Sequence, residues 1–202
     1  MARPPKIDDE QVLDRAMAVF WRHGWSSTSI RQLEAELDLK APSIYRRYGS
    51  KEGLTRAVLE RYLDRVIGGR IERYLSGEGD PIDNIRAFLD SALTPPPDGR
   101  SLVGCLLTVT ALDHPTAEAE LGDLLTRGLA TIEAGLTAEA ERAAATGRLA
   151  DWLAPATAAA QLAVSFQGLM VLARSGVAPV ELRRRAAVSL DAVTVPPRPV
   201  PD

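Results

Sequence analysis

The chain has 202 residues, enough for one large or two small domains, and its single cysteine excludes an internal disulfide. It is rich in Ala, Leu and Arg, with three Lys and three Phe, a composition that favours helix over sheet and predicts an all-α fold. The N-terminal segment lacks the apolar core of a signal peptide, and no uninterrupted apolar run approaches the ~18–20 residues of a membrane span. We therefore expect a soluble, cytoplasmic protein.

The formal net charge of −3 is distributed unevenly along the chain. Residues 1–74 hold 14 Lys and Arg against 11 Asp and Glu, whereas residues 75–202 hold 10 against 16. Two interpretations fit this asymmetry: a basic end that faces nucleic acid on an acidic body, or a solvated surface of mixed charge.

The first predicted helix begins after Asp8 and ends at Gly24. Asp8 and Gln11 match a capping box, and Gly24 is suited to a left-handed C-cap. The predicted buried face consists of Val12, Ala16, Val19 and Phe20. The arm before this helix, residues 1–6, carries two basic residues and is either disordered or laid along a phosphate backbone.

Residues 26–54 predict two short helices joined by a tight turn, followed by the start of a third. Ile30, Leu33 and Leu37 have the i, i+3, i+7 spacing of a half-buried helix. In the second helix, residues 41–47, only Ile44 and one face of Tyr45 are expected to be buried. A short helix with so few buried residues is poorly stable alone, so neighbouring helices must hold it in place. A pair of helices docked in this way has helix-turn-helix geometry.

Lys51 gives an independent indication of an anion. Ser50 is a good N-cap for the next helix, which places Lys51 in its first turn. A cation there opposes the helix dipole by roughly 0.3–1 kcal/mol unless a phosphate binds at the helix end.

Residues 12–54 resemble the DNA-binding domain of the TetR-type transcriptional regulators. The matching stretches are AVFWRHGW (18–25), Ser29 with Leu33, and above all SIYRRYGSKEGL (43–54). The chain departs from the family pattern at three positions, where Glu34 replaces Ala, Asp38 replaces the turn Gly and Tyr48 replaces Phe. Asp38 tolerates the left-handed conformation better than most residues, so we expect the turn to be kept.

The resemblance implies a homodimeric, ligand-responsive regulator, a repressor, that binds a palindromic operator in double-stranded DNA. It implies that one group of side chains faces bases or groove edges, namely Arg31, Ser43, Tyr45 and Arg46. The small residues Ala41 and Pro42 allow close approach to the groove. A second group holds or supports contacts with the DNA backbone: Ser29, Lys40, Arg47, Tyr48 and Lys51.

The next predicted helix, residues 50–75, links two domains: a helix-turn-helix domain (1–54) and an effector-binding and dimerisation domain (76–202). It contains Gly68-Gly69, which is either a tolerated bend or a hinge between the domains. The polar segment 76–80 is the best boundary.

The sequence pattern of the second domain predicts five helices, separated by a Pro-rich loop (94–100) and by polar breaks. The chain then ends in a Pro-rich tail (196–202). The predicted helices are 81–93, 102–112, 116–145, 155–174 and 179–193. The small and apolar residues of 155–174 and 179–193 either pack within the chain or pair with the same helices of a second chain, as the resemblance implies.

The resemblance also implies a cavity for a small, apolar effector between the body helices, although each candidate residue also fits an ordinary core position. The candidates are Phe88, Cys105, Leu106, Val109, Leu125, Phe166, Gln167 and Met170. We find no phosphate-binding Gly loop, and Cys105 and His114 have no obvious orienting partner. Two histidines and no acidic cluster at ligand spacing predict neither a metal site nor a cofactor. The alternative function is an all-helical small-molecule-binding protein or enzyme whose helix-turn-helix is purely structural.

Overall fold

The computed structural model of the chain describes residues 8–95, 104–113 and 119–195, and within these residues the fold is helical, as predicted. The predicted N-terminal arm, most of the Pro-rich loop, His114 and the Pro-rich tail lie outside the described residues. The helices are α1 (Asp9–His23), α2 (Ile30–Leu37), α3 (Ala41–Tyr48), α4 (Lys51–Tyr62), a π-helical segment (Leu63–Gly68), α5 (Gly69–Tyr74), α6 (Pro81–Ala92), α7 (Leu106–Asp113), α8 (Ala119–Ala145), α9 (Pro155–Arg174) and α10 (Pro179–Asp191).

Both ends of α1 differ in detail from the sequence prediction. Asp8 occupies the N-cap position, but its side chain makes no capping hydrogen bond. Gly24 ends the helix with φ 81° and ψ 163°, which is outside the left-handed helical region expected for it. The predicted buried face of α1 is confirmed, because Val12, Ala16, Val19 and Phe20 are all buried.

The turn between α2 and α3 follows the sequence closely. The Ser29 hydroxyl accepts a hydrogen bond from the Gln32 amide (3.2 Å) at the start of α2. Asp38 closes α2 in the left-handed conformation, with φ 52° and ψ 42°. Both predictions are confirmed, and they fix the angle at which the chain enters α3.

The helical path from residue 51 to residue 74 contains a π-helical segment that the sequence did not predict. This segment ends at Gly68, the first glycine of the predicted bend. The α8 helix crosses close to it at Gly128, where an added Cβ would lie 2.6 Å from Cδ2 of Leu63. Glycine at this position therefore allows α8 to approach this helical path closely.

The α7 helix is shorter than the predicted helix at residues 102–112. It begins at Leu106, because Gly104 has a φ of 77°, and an added Cβ there would lie 2.6 Å from the Met170 carbonyl oxygen. Residues 102–112 form an almost wholly apolar run, which favours burial on most sides, but Leu112 is 68% exposed. Leu112 therefore faces outward near α9.

A single apolar core extends from α1 to the end of α10, so the helix-turn-helix region and the body share buried contacts. The α8 and α9 helices pack along each other, while α6 and α10 complete the bundle. With 20 residues and a mean hydropathy of 1.5 over 18 of them, α9 is long and apolar enough to cross a membrane. The core helix of a soluble protein meets the same criterion, so this is weak evidence for a membrane span. Only 39% of that window is buried, so α9 also presents small and apolar residues at the surface.

The turn between α5 and α6 is tied to α8 by a buried carboxylate. Glu139 is 0% exposed and accepts hydrogen bonds from the Gly77 amide (3.0 Å), the Asn84 side-chain amide (3.3 Å) and Arg142 Nη1 (2.5 Å). Arg142 also donates to the Gly79 carbonyl oxygen (2.6 Å). The carboxylate is thus paired and hydrogen-bonded, as a buried charge must be.

Replacing Glu139 with Ala should lower the free energy of unfolding by ~2–4 kcal/mol, because three donors lose their acceptor and a half-buried guanidinium loses its partner. Glu141→Ala, at an exposed position two residues away, is the control and should cost no more than ~0.5 kcal/mol. Urea unfolding of both variants at one protein concentration measures the difference. Equal midpoints for the two variants would show that the buried carboxylate contributes little.

Candidate nucleic-acid interface

The α3 helix has only one buried residue, Ile44, and is held by its neighbours α2 and α4. Lys40 occupies its N-cap position without a side-chain hydrogen bond. The Glu34 carboxylate of α2 supplies that bond instead, because its Oε1 accepts from the Ala41 amide at 2.7 Å. Glu34 therefore positions the start of α3, a role that the sequence analysis missed.

The outer surface of α3 is exposed much as predicted. Tyr45 is 44% exposed, and Pro42 and Arg46 are also exposed, whereas Ala41 and Ser43 are half-buried. The predicted contact residues outside α3, namely Ser29, Arg31 and Lys40, are exposed on α2 and in the turn. Within the described residues, no ion pair engages Arg46, so its guanidinium is available to an anionic partner.

Arg47 differs from the prediction that it points outward. Its Nη1 lies 2.8 Å from Oδ1 of Asp9, and its side chain is only 17% exposed because it folds against α1. Tyr48 is half-buried and packs against the core. Burial, followed by the nearby Asp9 carboxylate, raises the pKa of the Tyr48 hydroxyl. These two residues tie α3 to α1 and are suited to supporting the outer surface.

Lys51 lies in the first turn of α4, after the predicted N-cap Ser50, whose hydroxyl accepts from the Gly53 amide (3.1 Å). The Lys51 ammonium lies 4.3 Å from the centroid of the Trp25 ring, a cation–π arrangement. Burial lowers the pKa of Lys51. An added Cβ at Gly53 would lie 1.9 Å from the Tyr48 carbonyl oxygen, so glycine at this position lets α4 start directly beside the end of α3.

In the described part of the chain, the predicted effector-binding residues have different surroundings. Phe88 and Phe166 pack together in the core with ring centroids 5.3 Å apart, and Leu106 and Leu125 are buried core residues. The side-chain carbonyl of Gln167 accepts from the Thr108 hydroxyl. The remaining three, Cys105, Val109 and Met170, line a groove of about 240 Å³ between α7 and α9, which we call the α7–α9 groove.

The α7 helix and the residues around it contact the helix-turn-helix region directly. Trp21 donates from Nε1 to the Gly104 carbonyl oxygen (2.9 Å), and its own carbonyl accepts from Arg174 Nη1 (2.8 Å). The Ser26 amide donates to Oδ2 of Asp113 (3.3 Å). The residues that make these contacts are 83 or more positions apart in the sequence, so local sequence patterns could not predict them.

Comparison with known proteins places the first part of the chain in a known group. Residues 12–58 match the family model described as "Bacterial regulatory proteins, tetR family". The HTH-type transcriptional repressor ComR of Escherichia coli K12 is 48% identical over 63 residues, which cover 31% of this chain and 30% of ComR. The uncharacterized HTH-type regulator YezE of Bacillus subtilis is 27% identical over 121 residues, covering 60% of this chain and 62% of YezE.

Solved structures match over nearly the whole chain. The TetR family regulator CifR, a cysteine mutant in complex with a 26-bp double-stranded operator DNA, is 28% identical, with a TM-score of 0.80 over 95% of this chain and 100% of CifR. Reduced NemR of E. coli has a TM-score of 0.81 over 94% of this chain and 97% of NemR, and at 20% identity this likeness concerns the fold. Together with the SIYRRYGSKEGL match and the exposed α3, these similarities show that residues 12–58 resemble the DNA-binding region of the tetR family of bacterial regulatory proteins and that the chain has the fold of TetR family regulators.

Proposed function

We propose that the chain is a cytoplasmic transcriptional repressor that binds a palindromic DNA operator as a homodimer and releases it in response to a small molecule. The observation that carries the proposal is α3, an eight-residue helix whose only buried residue is Ile44 and which exposes Tyr45 and Arg46. A helix with so little to bury is not kept for packing. The operator complex of CifR, whose fold this chain shares, supports the same role.

In this proposal Arg31, Ser43, Tyr45 and Arg46 contact base edges in the major groove, with Ala41 and Pro42 close to its floor. Backbone phosphates are bound by Lys40, by the N-terminus of α2 beside Ser29, and by the N-terminus of α4 beside Lys51. Arg47 and Tyr48 hold α3 against α1 and act on DNA through its position. Both helix N-termini are capped by serines, which leaves other first-turn amides to bind an anion.

The dimer in this proposal forms through α9 and α10, whose outer surfaces carry exposed valines. A two-fold axis between two copies presents two α3 helices to half-sites about one DNA turn, ~34–36 Å, apart.

A mobility-shift titration with the DNA upstream of the protein's own gene tests the function. We expect retention of that DNA in preference to a scrambled duplex of equal length, and a steep loss of affinity between ~50 and 200 mM salt because phosphate contacts release counterions. A thermal-shift screen with lipophilic ligands should run beside it. Stabilisation by ligands without retention of any duplex would favour a small-molecule-binding protein or enzyme with a structural helix-turn-helix.

Glu34 offers a separate test of how α3 is positioned. Glu34→Ala removes the acceptor from the Ala41 amide and should cost ~0.5–2 kcal/mol, as loss of a cap does, with weaker operator binding. Glu34→Gln keeps an acceptor and removes a negative charge beside the DNA-facing helix, so it should bind all DNA more tightly than the wild type. Urea unfolding and fluorescence anisotropy measure the two effects. Identical behaviour of the two variants would exclude the capping role.

A further inference from the structure

The last residue of α7, Asp113, touches the turn between α1 and α2, residues 24–29. Its Oδ2 atom accepts a hydrogen bond from the Ser26 amide (3.3 Å). Gly24 is buried, and an added Cβ at this position would collide with the same oxygen. Glycine at position 24 therefore leaves the space in which a carboxylate of the body reaches the helix-turn-helix region.

The same turn supports Lys51, the cation that the proposed function assigns to a backbone phosphate. Trp25 belongs to this turn, and the Lys51 ammonium lies 4.3 Å from the centroid of its ring. Burial has the largest effect on the pKa of Lys51 and lowers it, whereas the charges of Glu52 and Asp113 act in the opposite direction. The Asp113 carboxylate therefore lies close enough to Lys51 to stabilise its charged form.

Lys51 and Asp113 each lie at the end of a helix where the helix dipole disfavours their charge. Lys51 is the first residue of α4, and the N-terminus of a helix carries partial positive charge. Asp113 is the last residue of α7, where the partial charge is negative, and the last turn of α7 contains no basic residue to offset the carboxylate. Local rules that are broken in this way are characteristic of functional positions. In the free protein the two opposite charges partly compensate for these unfavourable positions.

A phosphate that binds Lys51 must share the ammonium with the Asp113 carboxylate. The carboxylate cannot withdraw without losing its hydrogen bond from the Ser26 amide, so two anions are brought to one cation and repel each other. No base takes part in this repulsion. Its cost is therefore the same for every DNA sequence.

We propose that Asp113 competes with DNA phosphate for Lys51 and thereby lowers the affinity of the protein for every duplex without changing its sequence preference. The inference rests on the proposed function, because it concerns the phosphate contact which that function assigns to Lys51. Asp113 acts through Lys51 and does not itself contact DNA. Because binding to non-operator DNA depends almost wholly on phosphate contacts, the competition limits retention of the protein there.

The test removes the charge of Asp113 from the full chain and keeps the shape of the side chain. Asp113→Asn retains an oxygen that can accept from the Ser26 amide, while the control Glu141→Gln removes one charge from an exposed position on α8. In anisotropy titrations at low salt, Asp113→Asn should bind operator and scrambled duplex ~3–10-fold more tightly than the wild type, and the control should match the wild type. The slope of affinity against salt should steepen by up to ~0.9, because Lys51 then neutralises a phosphate fully.

Two further measurements show whether the effect passes through Lys51. In a Lys51→Ala protein, the added Asp113→Asn change should give no gain in affinity. NMR titration of the Lys51 side chain in the free protein should give a lower pKa in Asp113→Asn than in the wild type, because the change removes a charge that stabilises the ammonium.

An Asp113→Asn protein that binds DNA no more tightly than Glu141→Gln, or a gain that persists without Lys51, would overturn the proposal. So would a loss of affinity, which would show that the carboxylate positions the turn for DNA instead of competing with it; a gain, by contrast, cannot come from poor folding. If the wild type binds DNA and Asp113→Asn has no effect, this inference fails alone. If neither protein retains any duplex at low salt, the proposed function fails with it.

Discussion

Replacing Val164 and Val171 with glutamate should convert the proposed homodimer into monomers and lower the affinity for a two-half-site operator by ~10²–10⁴-fold. The loss has this size because the second half-site is bound at a high effective concentration only while the two heads are joined. A glutamate buried at the centre of an interface, opposite its own copy across a two-fold axis, is desolvated and faces a like charge.

The expectation follows from the exposed stripe of α9. Exposed or half-buried positions recur at alternating steps of four and three residues, the average spacing of 3.5 that faces a partner helix. The stripe consists of Thr157, Gln161, Val164, Gly168, Val171 and Ser175. Val164 is 69% exposed, and an added Cβ at Gly168 would meet nothing within 4 Å, so the middle of the stripe is open to a close approach. Val180 and Val188 continue the apolar surface on α10.

Sedimentation velocity and anisotropy titrations with a full operator and a single half-site measure the effect. Ala130→Glu, at an exposed position of α8 outside the stripe, is the control and should leave both the dimer and its operator affinity unchanged. Half-site affinity should be nearly the same in all three proteins. A Val164→Glu/Val171→Glu protein that still sediments as a dimer would place the interface elsewhere.

The second large effect concerns two adjacent arginines of α3 that the structure places in different environments. Arg46→Ala should cost ~1–3 kcal/mol of operator binding, the value of one good base contact, and should relax the preference for operator over scrambled DNA. Arg47 is paired with Asp9, whose side chain is 72% exposed, so its loss should cost no more than ~1 kcal/mol of stability and keep sequence preference. Lys51→Ala should weaken binding to all sequences alike, because the proposed contact of Lys51 is with a backbone phosphate.

Competition anisotropy against a library of single-base operator variants, together with the slope of affinity against salt, separates these roles. Lys51→Ala should reduce that slope by about one unit, while Arg46→Ala changes the preference at one or two positions. If Arg47→Ala relaxes sequence preference more than Arg46→Ala does, Arg47 rather than Arg46 contacts the bases, and the proposed roles of the two arginines are wrong.

Features of the site that depend on residues close together in the sequence could be predicted from the sequence. The Ser29 cap, the left-handed Asp38 and the lone buried Ile44 each follow from interactions within about four residues, where spacing and residue type are sufficient. The pairing of Arg47 with Asp9 spans 38 residues, and an amphipathic pattern on α3 cannot reveal which of two adjacent arginines meets a carboxylate on another helix. Glu34 departs from the family pattern, and its role could not be predicted from the sequence. Its partner, the Ala41 amide, comes within hydrogen-bonding distance only when α2 and α3 pack together.

The body shows the same limit. Apolar periodicity predicted its helices to within a few residues, but the start of α7 depends on Gly104 passing the Met170 carbonyl, a contact between distant parts of the chain. Apart from Gln167, the candidate effector residues are apolar positions on facing helices, and that property does not distinguish packed core from the wall of a groove. Arg174 and Leu112 were missed because a charged residue at a helix end and a leucine in an apolar run gave no reason to expect a shared surface.

The π-helical segment at Leu63–Gly68 sets the relative orientation of the two ends of the linking helix. Each residue of an α-helix turns the chain by about 100°, and a π turn accommodates one residue more than an α turn. The side chains that follow the segment therefore point about a quarter-turn away from where an unbroken helix would aim them. Because the wider turn absorbs the extra residue, deleting one residue there should restore regular winding and leave the two ends of the linker nearly in their present orientation. A deletion in the regular turns on either side should instead rotate one end against the other by about 100°.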